Sequence, residues 1–310
     1  MIFVARGIVV SLAFFAMVYC PLSLMVLLVW RSVFRVERNS ILNSPNFLFG
    51  LRMFSFAASA IVALFFTFPS FWLMERASLD EDAATFVLAA CSLILLTAGL
   101  ARAFRAQAKT NRAVAQWLSG RIVSGDETVV PALKASNGAP ALTLVGVRRP
   151  KVMVSDMATL LLSKEELRVA VRHELGHMRS CDNLKKVFMS ATPFPGMRSL
   201  DDAWREAAEL AADDAAVANR ENALDLAAAL IKLSRASKQW LEPALASGLV
   251  SGSSSINLRV ERLLEWRKKS PRLRRTWPGI LSFLILAGGV ASNYGAILGL
   301  THRLTEILVP

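Results

Sequence analysis

The chain has 310 residues, 54% of them hydrophobic, and a mean hydropathy of +0.42. That is too apolar for an ordinary soluble protein and points to integral membrane segments. The net charge of +12 comes with no base-reading or stacking motif, so nucleic acid is not an expected partner. The three cysteines lack the paired spacing of a disulfide framework or a cysteine zinc site.

Four stretches are long enough to cross a bilayer, which takes about 20 apolar residues: 7–30, 53–74, 83–101 and 277–300. The first is too long for a signal-peptide core and has no clear small-residue cleavage site, so it reads as a retained span. Pro21 and Pro69 mark kinks, tolerated where neighbouring helices satisfy the freed carbonyls. The first loop carries Arg31, Arg35, Arg38 and Arg52. The second is acidic, with Glu75, Asp80, Glu81 and Asp82 against a single Arg76. Basic residues return after span three, at Arg102, Arg105, Lys109 and Arg112, and before span four, from Arg267 to Arg275. The positive-inside rule places the first and third loops in the cytoplasm and both termini outside. No span carries a charge at mid-membrane of the kind that marks an ion path, which disfavours a transporter.

The domains expected are therefore three transmembrane helices in 1–101, a cytoplasmic domain in 102–275, and a fourth helix with a short tail in 276–310. Only the loop 102–275 is large enough for its own core. The tail after Leu300 leaves no room for an extracellular sensor domain.

Within the loop, 102–118 reads as a basic helix continuing span three, and Ser136-Asn137-Gly138 as a turn. Residues 142–147 and 151–154 are rich in β-branched side chains and separated by Arg148-Arg149-Pro150, the pattern of a hairpin. The first of these strands can pair with an extended substrate, or be an ordinary structural strand. Ser163 followed by Glu166 is a capping box. It opens a helix through Glu166, Val169, His173 and His177 to about Arg179. The segment 192–196, with two prolines and a glycine, is a loop. An Ala-rich helical region follows over 200–240, with a break near Asn219 to Asn222.

His173-Glu174-Leu175-Gly176-His177 is HExxH on that helix. Residues four apart share a face, so both imidazoles can reach one zinc ion. Glu174 is placed to take the proton of the attacking water. A solvated helix face with two surface histidines is the bland alternative, although these are two of only three histidines in the chain. A catalytic zinc takes three protein ligands and leaves one position open. His302 lies beyond span four, so the third ligand should be a carboxylate from Glu206, Glu209, Asp213 or Asp214. Glu209 with Asp213 is preferred over Glu206. The pair lies at i and i+4, so Glu209 can bind metal while Asp213 accepts the other ring N–H of a ligand histidine. Cys181, just past the helix, reads as a bystander. No tyrosine or spare histidine is available for an oxyanion, which leaves Arg205 as a weak candidate against a surface salt bridge.

The run from Val145 to Val154, then Leu162-Ser-Lys-Glu-Glu-Leu, HELGH and Asp182-Asn-Leu resembles the membrane metallopeptidases of the beta-lactam sensor-transducer type (BlaR/MecR). In that family the third ligand lies in a Glu-Leu-Ala-x-Asp run, matched here by Glu209-Leu-Ala-Ala-Asp213. The Gly176 form of the motif is also similar to the heat-shock HtpX and CAAX-prenyl protease group. The resemblance implies a mainly α membrane protein whose cytoplasmic domain is an α+β gluzincin, in a bacterial cytoplasmic membrane. It implies a zinc endopeptidase acting on a cytoplasmic or membrane-proximal protein, in regulated proteolysis or signalling. Without an extracellular ligand-binding domain, beta-lactam sensing does not carry over. Asp182 is expected to end the helix or bond locally. The competing reading is a non-catalytic signalling or scaffold module that keeps a peptidase fold. The expected partners are a protein or peptide substrate and the lipid bilayer, with self-association left open.

Overall fold

The computed structural model describes residues 2–34, 44–74, 83–117, 133–135, 140–147, 150–236, 247–248, 256–267 and 289–308. The chain forms two compact units. One comprises Met1–Glu37, Gly50–Ala98 and Lys269–Pro310; the other comprises Arg38–Phe49 and Gly99–Lys268.

Among the described residues, three helices are long and apolar enough to cross a membrane: Phe3–Ser32, Pro45–Met74 and Ala83–Trp117. Large side chains such as Leu64, Leu73 and Ile94 are mostly exposed on them, as lipid-facing positions should be. The first helix, α1 (Ile2–Val29), continues through Pro21. The second runs as α2 (Pro45–Ile61), a π turn (Val62–Thr67) and α3 (Phe68–Met74). Pro69 lacks the N–H that would bond the carbonyl of Phe65, four residues back. The hydroxyl of Tyr294 donates to that carbonyl instead, at 2.8 Å.

Two expectations are corrected here. The second hydrophobic helix begins at Pro45, eight residues before the span read from sequence. Arg52 therefore lies inside the helix rather than in a loop, and is buried against Tyr19. A long amphipathic side chain near a helix end is compatible with a span when its head finds a polar partner. At the other end, 277–288 of the expected fourth span lies outside the described residues. The helix Tyr294–Leu308 runs past Leu300, where a tail was expected. The turn at 136–138 also lies outside the described residues.

In the second unit, the cytoplasmic extension was expected to follow span three without a break, and α4 (Ala83–Trp117) is one helix of 35 residues. A four-stranded sheet follows, in the order β1-β3-β2-β4. Its strands are β1 (Leu133–Ala135), β2 (Leu142–Val145), β3 (Lys151–Ser155) and β4 (Ser247–Gly248). The strands β2 and β3 are antiparallel, with Leu144 opposite Val152. Because side chains alternate across a strand, Leu142, Leu144, Val152 and Val154 face one way and Val145 and Met153 the other. The first set joins Val169, Ala170, Leu226, Leu230 and Leu263 in the main core. The second packs on Trp117 at the end of α4. Since β2 lies between β3 and β4, with Leu144 opposite Ser247, it offers no open edge there. Residues 143 and 144 of β2 are therefore already paired on that side.

After α5 (Asp156–Leu161), the capping box forms as read. The Ser163 hydroxyl accepts from Glu166 N–H at 3.2 Å and the Glu166 carboxylate from Ser163 N–H at 2.8 Å. The same carboxylate accepts from Lys232 Nζ at 2.8 Å, tying α6 (Lys164–Arg179) to α9 (Arg220–Ala236). Between them lie α7 (Asp182–Ala191) and α8 (Arg198–Ala216). The break in the Ala-rich region falls at 217–219, slightly earlier than read, and Asn219 caps α9 through Asn222 N–H at 2.8 Å. The last helix of the unit is α10 (Ile256–Leu264).

Candidate metal centre

Helix α6 buries Val169, Ala170, His173, Glu174, Gly176 and His177 on one side. Gly176 lets α8 come close: a Cβ there would sit 3.2 Å from the Cα of Ala212. Ala212 lies between Glu209 and Asp213, so this contact brings the acidic turn of α8 onto the two histidines.

His173, His177 and Glu209 converge. The Nε2 atoms of the two imidazoles are 3.2 Å apart. Glu209 places Oε2 3.4 Å from His173 Nε2 and Oε1 3.5 Å from His177 Nε2. Nitrogen ligands about 2.0–2.1 Å from a tetrahedral zinc lie about 3.3 Å from one another, so the spacing fits a single ion. The other ring nitrogens are committed. His173 Nδ1 is 2.9 Å from Asp213 Oδ1 and His177 Nδ1 is 2.7 Å from Asp182 Oδ2. At His177 the Nδ1 contact with Asp182 is a hydrogen bond that leaves the Nε2 lone pair for a metal, and at His173 the Asp213 carboxylate stands in ion-pairing range of Nδ1. All of these side chains are buried, Glu174 completely.

Burial alone would lower the pKa of both histidines. For His173, hydrogen bonds to Asp213 and Glu209 overcome burial and raise it. For His177, the charge of Glu209 and the bonds to Asp182 and Glu209 raise it to about 10. Burial would raise Glu209, but His177 and His173 hold it well below the ordinary carboxylate range. Asp213 is likewise lowered against burial, chiefly by Arg259. A pocket whose carboxylates favour positive charge on the imidazoles without metal suits a divalent cation.

A turn of chain sets the Asp182 carboxylate. After α6, Cys181 adopts the left-handed conformation, φ 55° and ψ 36°. That reversal brings Asp182 back over His177. Asn183 secures it by donating to the carbonyls of Leu144 and Gly146, at 3.2 and 3.1 Å. Lys185 Nζ lies 3.6 Å from Asp182 Oδ1 and donates to Asn46 at 2.8 Å. Asp182 thus bonds locally, and its partner is a ring nitrogen of the site.

Arg259 was not anticipated. It projects from α10, is 0% exposed, and reaches both buried acidic residues of α8. Its Nε and Nη2 donate to the two oxygens of Asp213 at 2.8 and 2.7 Å, and Nη1 lies 2.9 Å from Glu209 Oε2. A charged residue one turn before Leu263, on the apolar side of α10, was the available signal. By contrast, Arg205 is turned outward. Its side chain is 57% exposed and pairs with Asp202 at 2.6 Å, so the weak oxyanion candidate is a surface ion pair. Glu206 and Asp214 are exposed, and Asp214 pairs with Arg262. The side chain of Cys181 is exposed and takes no part in the cluster.

No curated protein matches the chain. Residues 83–263 match the BlaR1 peptidase M56 family. This is more than half of the sequence, and it takes in the sheet, the HExxH helix, the acidic turn of α8 and Arg259. With three helices among the described residues apolar enough to cross a membrane and a buried cluster of two histidines and a glutamate, the chain belongs to the BlaR1 peptidase M56 family of membrane-associated metallopeptidases.

Proposed function

We propose that the protein is a membrane-anchored zinc endopeptidase of gluzincin type, with His173, His177 and Glu209 as ligands and Glu174 as general base. The observation that carries this is the buried triangle of Nε2, Nε2 and carboxylate, with each histidine braced through Nδ1. Zinc, when bound, makes a water acidic enough to attack at neutral pH and polarises the peptide carbonyl.

The residues of the chain do the rest. Asp213 and Asp182 hold the imidazoles in the tautomer that offers Nε2 to the ion. Glu174, one position after His173 and buried beside His177 and Arg259, takes the proton of the attacking water and returns it to the leaving amine. The basic first and third loops support a peptidase domain facing the cytoplasm, within 102–275, with both termini outside. The substrate is a cytoplasmic or membrane-proximal protein, cleaved in a regulatory event. The bilayer is the second partner.

The test compares wild type with Glu174→Gln, purified in detergent, for cleavage of a casein-type substrate and of the chain itself. Loss of a general base should slow turnover by about 10²–10⁴-fold while zinc remains bound. Equal activity in the two proteins would end the hydrolase reading.

A further inference from the structure

We infer that Arg259 is a positioning residue for the metal centre, setting the placement of Glu209 and Asp213 and hence the affinity for the ion; this rests on the metal reading of that cluster. Four buried carboxylates, Glu174, Asp182, Glu209 and Asp213, crowd two imidazoles. One side of that crowd meets Lys185, near Asp182. On the α8 side, among the described residues, the cation in contact is Arg259.

The geometry is that of a clamp rather than a single pair. Glu209 and Asp213 stand one turn apart on α8. The guanidinium, arriving from α10, donates to Asp213 through two N–H groups and brings Nη1 within ion-pairing distance of Glu209. One side chain thereby fixes the carboxylate that faces both Nε2 atoms and the carboxylate that orients His173. The planar fork of arginine suits this double grip, which the single ammonium of lysine cannot reproduce. With Oε2 drawn toward the guanidinium, the rotation of the Glu209 carboxylate against the histidines is set by α10. That helix packs on α9 and seats Leu263 in the main core. The part of the chain that fixes the third ligand therefore lies about fifty residues beyond it in sequence.

The experiment uses the full chain in detergent micelles, titrated with cobalt(II) or zinc against a chelator of known affinity. Three forms are compared: wild type, Arg259→Lys, and Leu263→Val as a mild core change on the same helix. Arg259→Lys should bind metal at least about tenfold more weakly, the usual consequence of losing an outer partner. Its cobalt absorption spectrum should change shape as Glu209 reorients, and the rise in Tm on adding metal should shrink. Leu263→Val should lower Tm with and without metal alike and leave affinity unchanged. If wild type itself binds no metal, the metal reading fails and this inference with it. If wild type binds and Arg259→Lys matches it in affinity and spectrum, the inference alone is overturned. It is also overturned if Leu263→Val loses affinity equally, or if Arg259→Lys fails to fold at every metal concentration while Leu263→Val folds, since Arg259 would then serve folding only.

Discussion

His173 and His177 sit one turn apart on α6, yet they are braced in different ways. His177 leans on Asp182, five residues ahead across a left-handed turn, and that carboxylate is shared with Lys185, whose side chain is 14% exposed. His173 leans on Asp213, brought in on another helix and held by a guanidinium that is 0% exposed. The near half of the site is made by local chain reversal and keeps some access to water. The far half is made by tertiary packing in a dry interior. Electrostatic interactions strengthen as water is excluded, and so does the cost of leaving a charge unpaired.

The sharpest way to test this contrast is to remove each brace in turn. Asp213→Ala takes from the buried Arg259 the carboxylate it bonds twice, so it should cost about 3–5 kcal/mol of stability and weaken zinc binding by about 100-fold. Asp182→Ala leaves Lys185 able to turn to water. Its cost should be about 1–2 kcal/mol, with an affinity loss nearer tenfold. Denaturant titration and chelator competition on the two variants check both numbers. Equal losses would mean that the two halves are energetically alike.

The same contrast explains what could be read in advance. HExxH and the capping box depend on spacings of three and four residues, and a helix converts those spacings into a shared face. The strands β2 and β3 declared themselves by β-branched content and a Pro-containing break. Glu209 and Asp213 were legible as a pair because they too are four apart. Arg259 was harder to place: a charge on the apolar side of α10 marks it, but nothing in a local window names the carboxylates it meets. The capture of β2 by the two residues of β4 was equally hidden: Ser247–Gly248 has no strand pattern of its own. Arg52 misled in the opposite sense, since its charge cut short a hydrophobic run that the helix continues through.

A second test acts on the seam between the halves. Gly176 on α6 meets the backbone of α8 at Ala212, so Gly176→Val should push the acidic turn away from the histidines. Overpacking of this kind costs about 1–3 kcal/mol. Zinc affinity should fall in the same variant, because Glu209 and Asp213 flank the point of contact. Thermal unfolding with and without zinc separates the two effects. A variant as stable as wild type with full affinity would show that α8 does not depend on that close approach.

A third test uses pH. In the metal-free protein the pKa of His177 is raised from 6.5 to about 10. A raised pKa contributes stability that is fully present below the unfolded value, and is lost as pH climbs through the folded one. The metal-free form should therefore lose this contribution between pH 6.5 and about 10. The zinc form, whose imidazoles no longer hold that proton, should not. The difference in Tm between zinc-loaded and chelator-treated protein should widen from pH 6.5 to pH 9 at constant free zinc. A flat or narrowing difference would place the proton elsewhere in the cluster.

The smallest expected effect lies in the turn that makes the near half possible. Cys181 holds φ 55° with an exposed side chain, so its backbone conformation matters and its thiol does not. A left-handed conformation costs a residue other than glycine roughly 1–2 kcal/mol. Cys181→Gly removes that cost but frees the unfolded chain, by about 0.5–1 kcal/mol. The net gain should therefore be under about 1 kcal/mol, with zinc affinity unchanged. Cys181→Val should lose about 1 kcal/mol or more, because a β-branched residue is a poor occupant of this region. It should also weaken zinc binding a few-fold by swinging Asp182 away from His177. If Cys181→Val kept both stability and affinity, the turn would not be what aims Asp182. The aim would then come from the two hydrogen bonds of Asn183 to the end of β2, and Asn183→Ala would be the variant that weakens zinc binding.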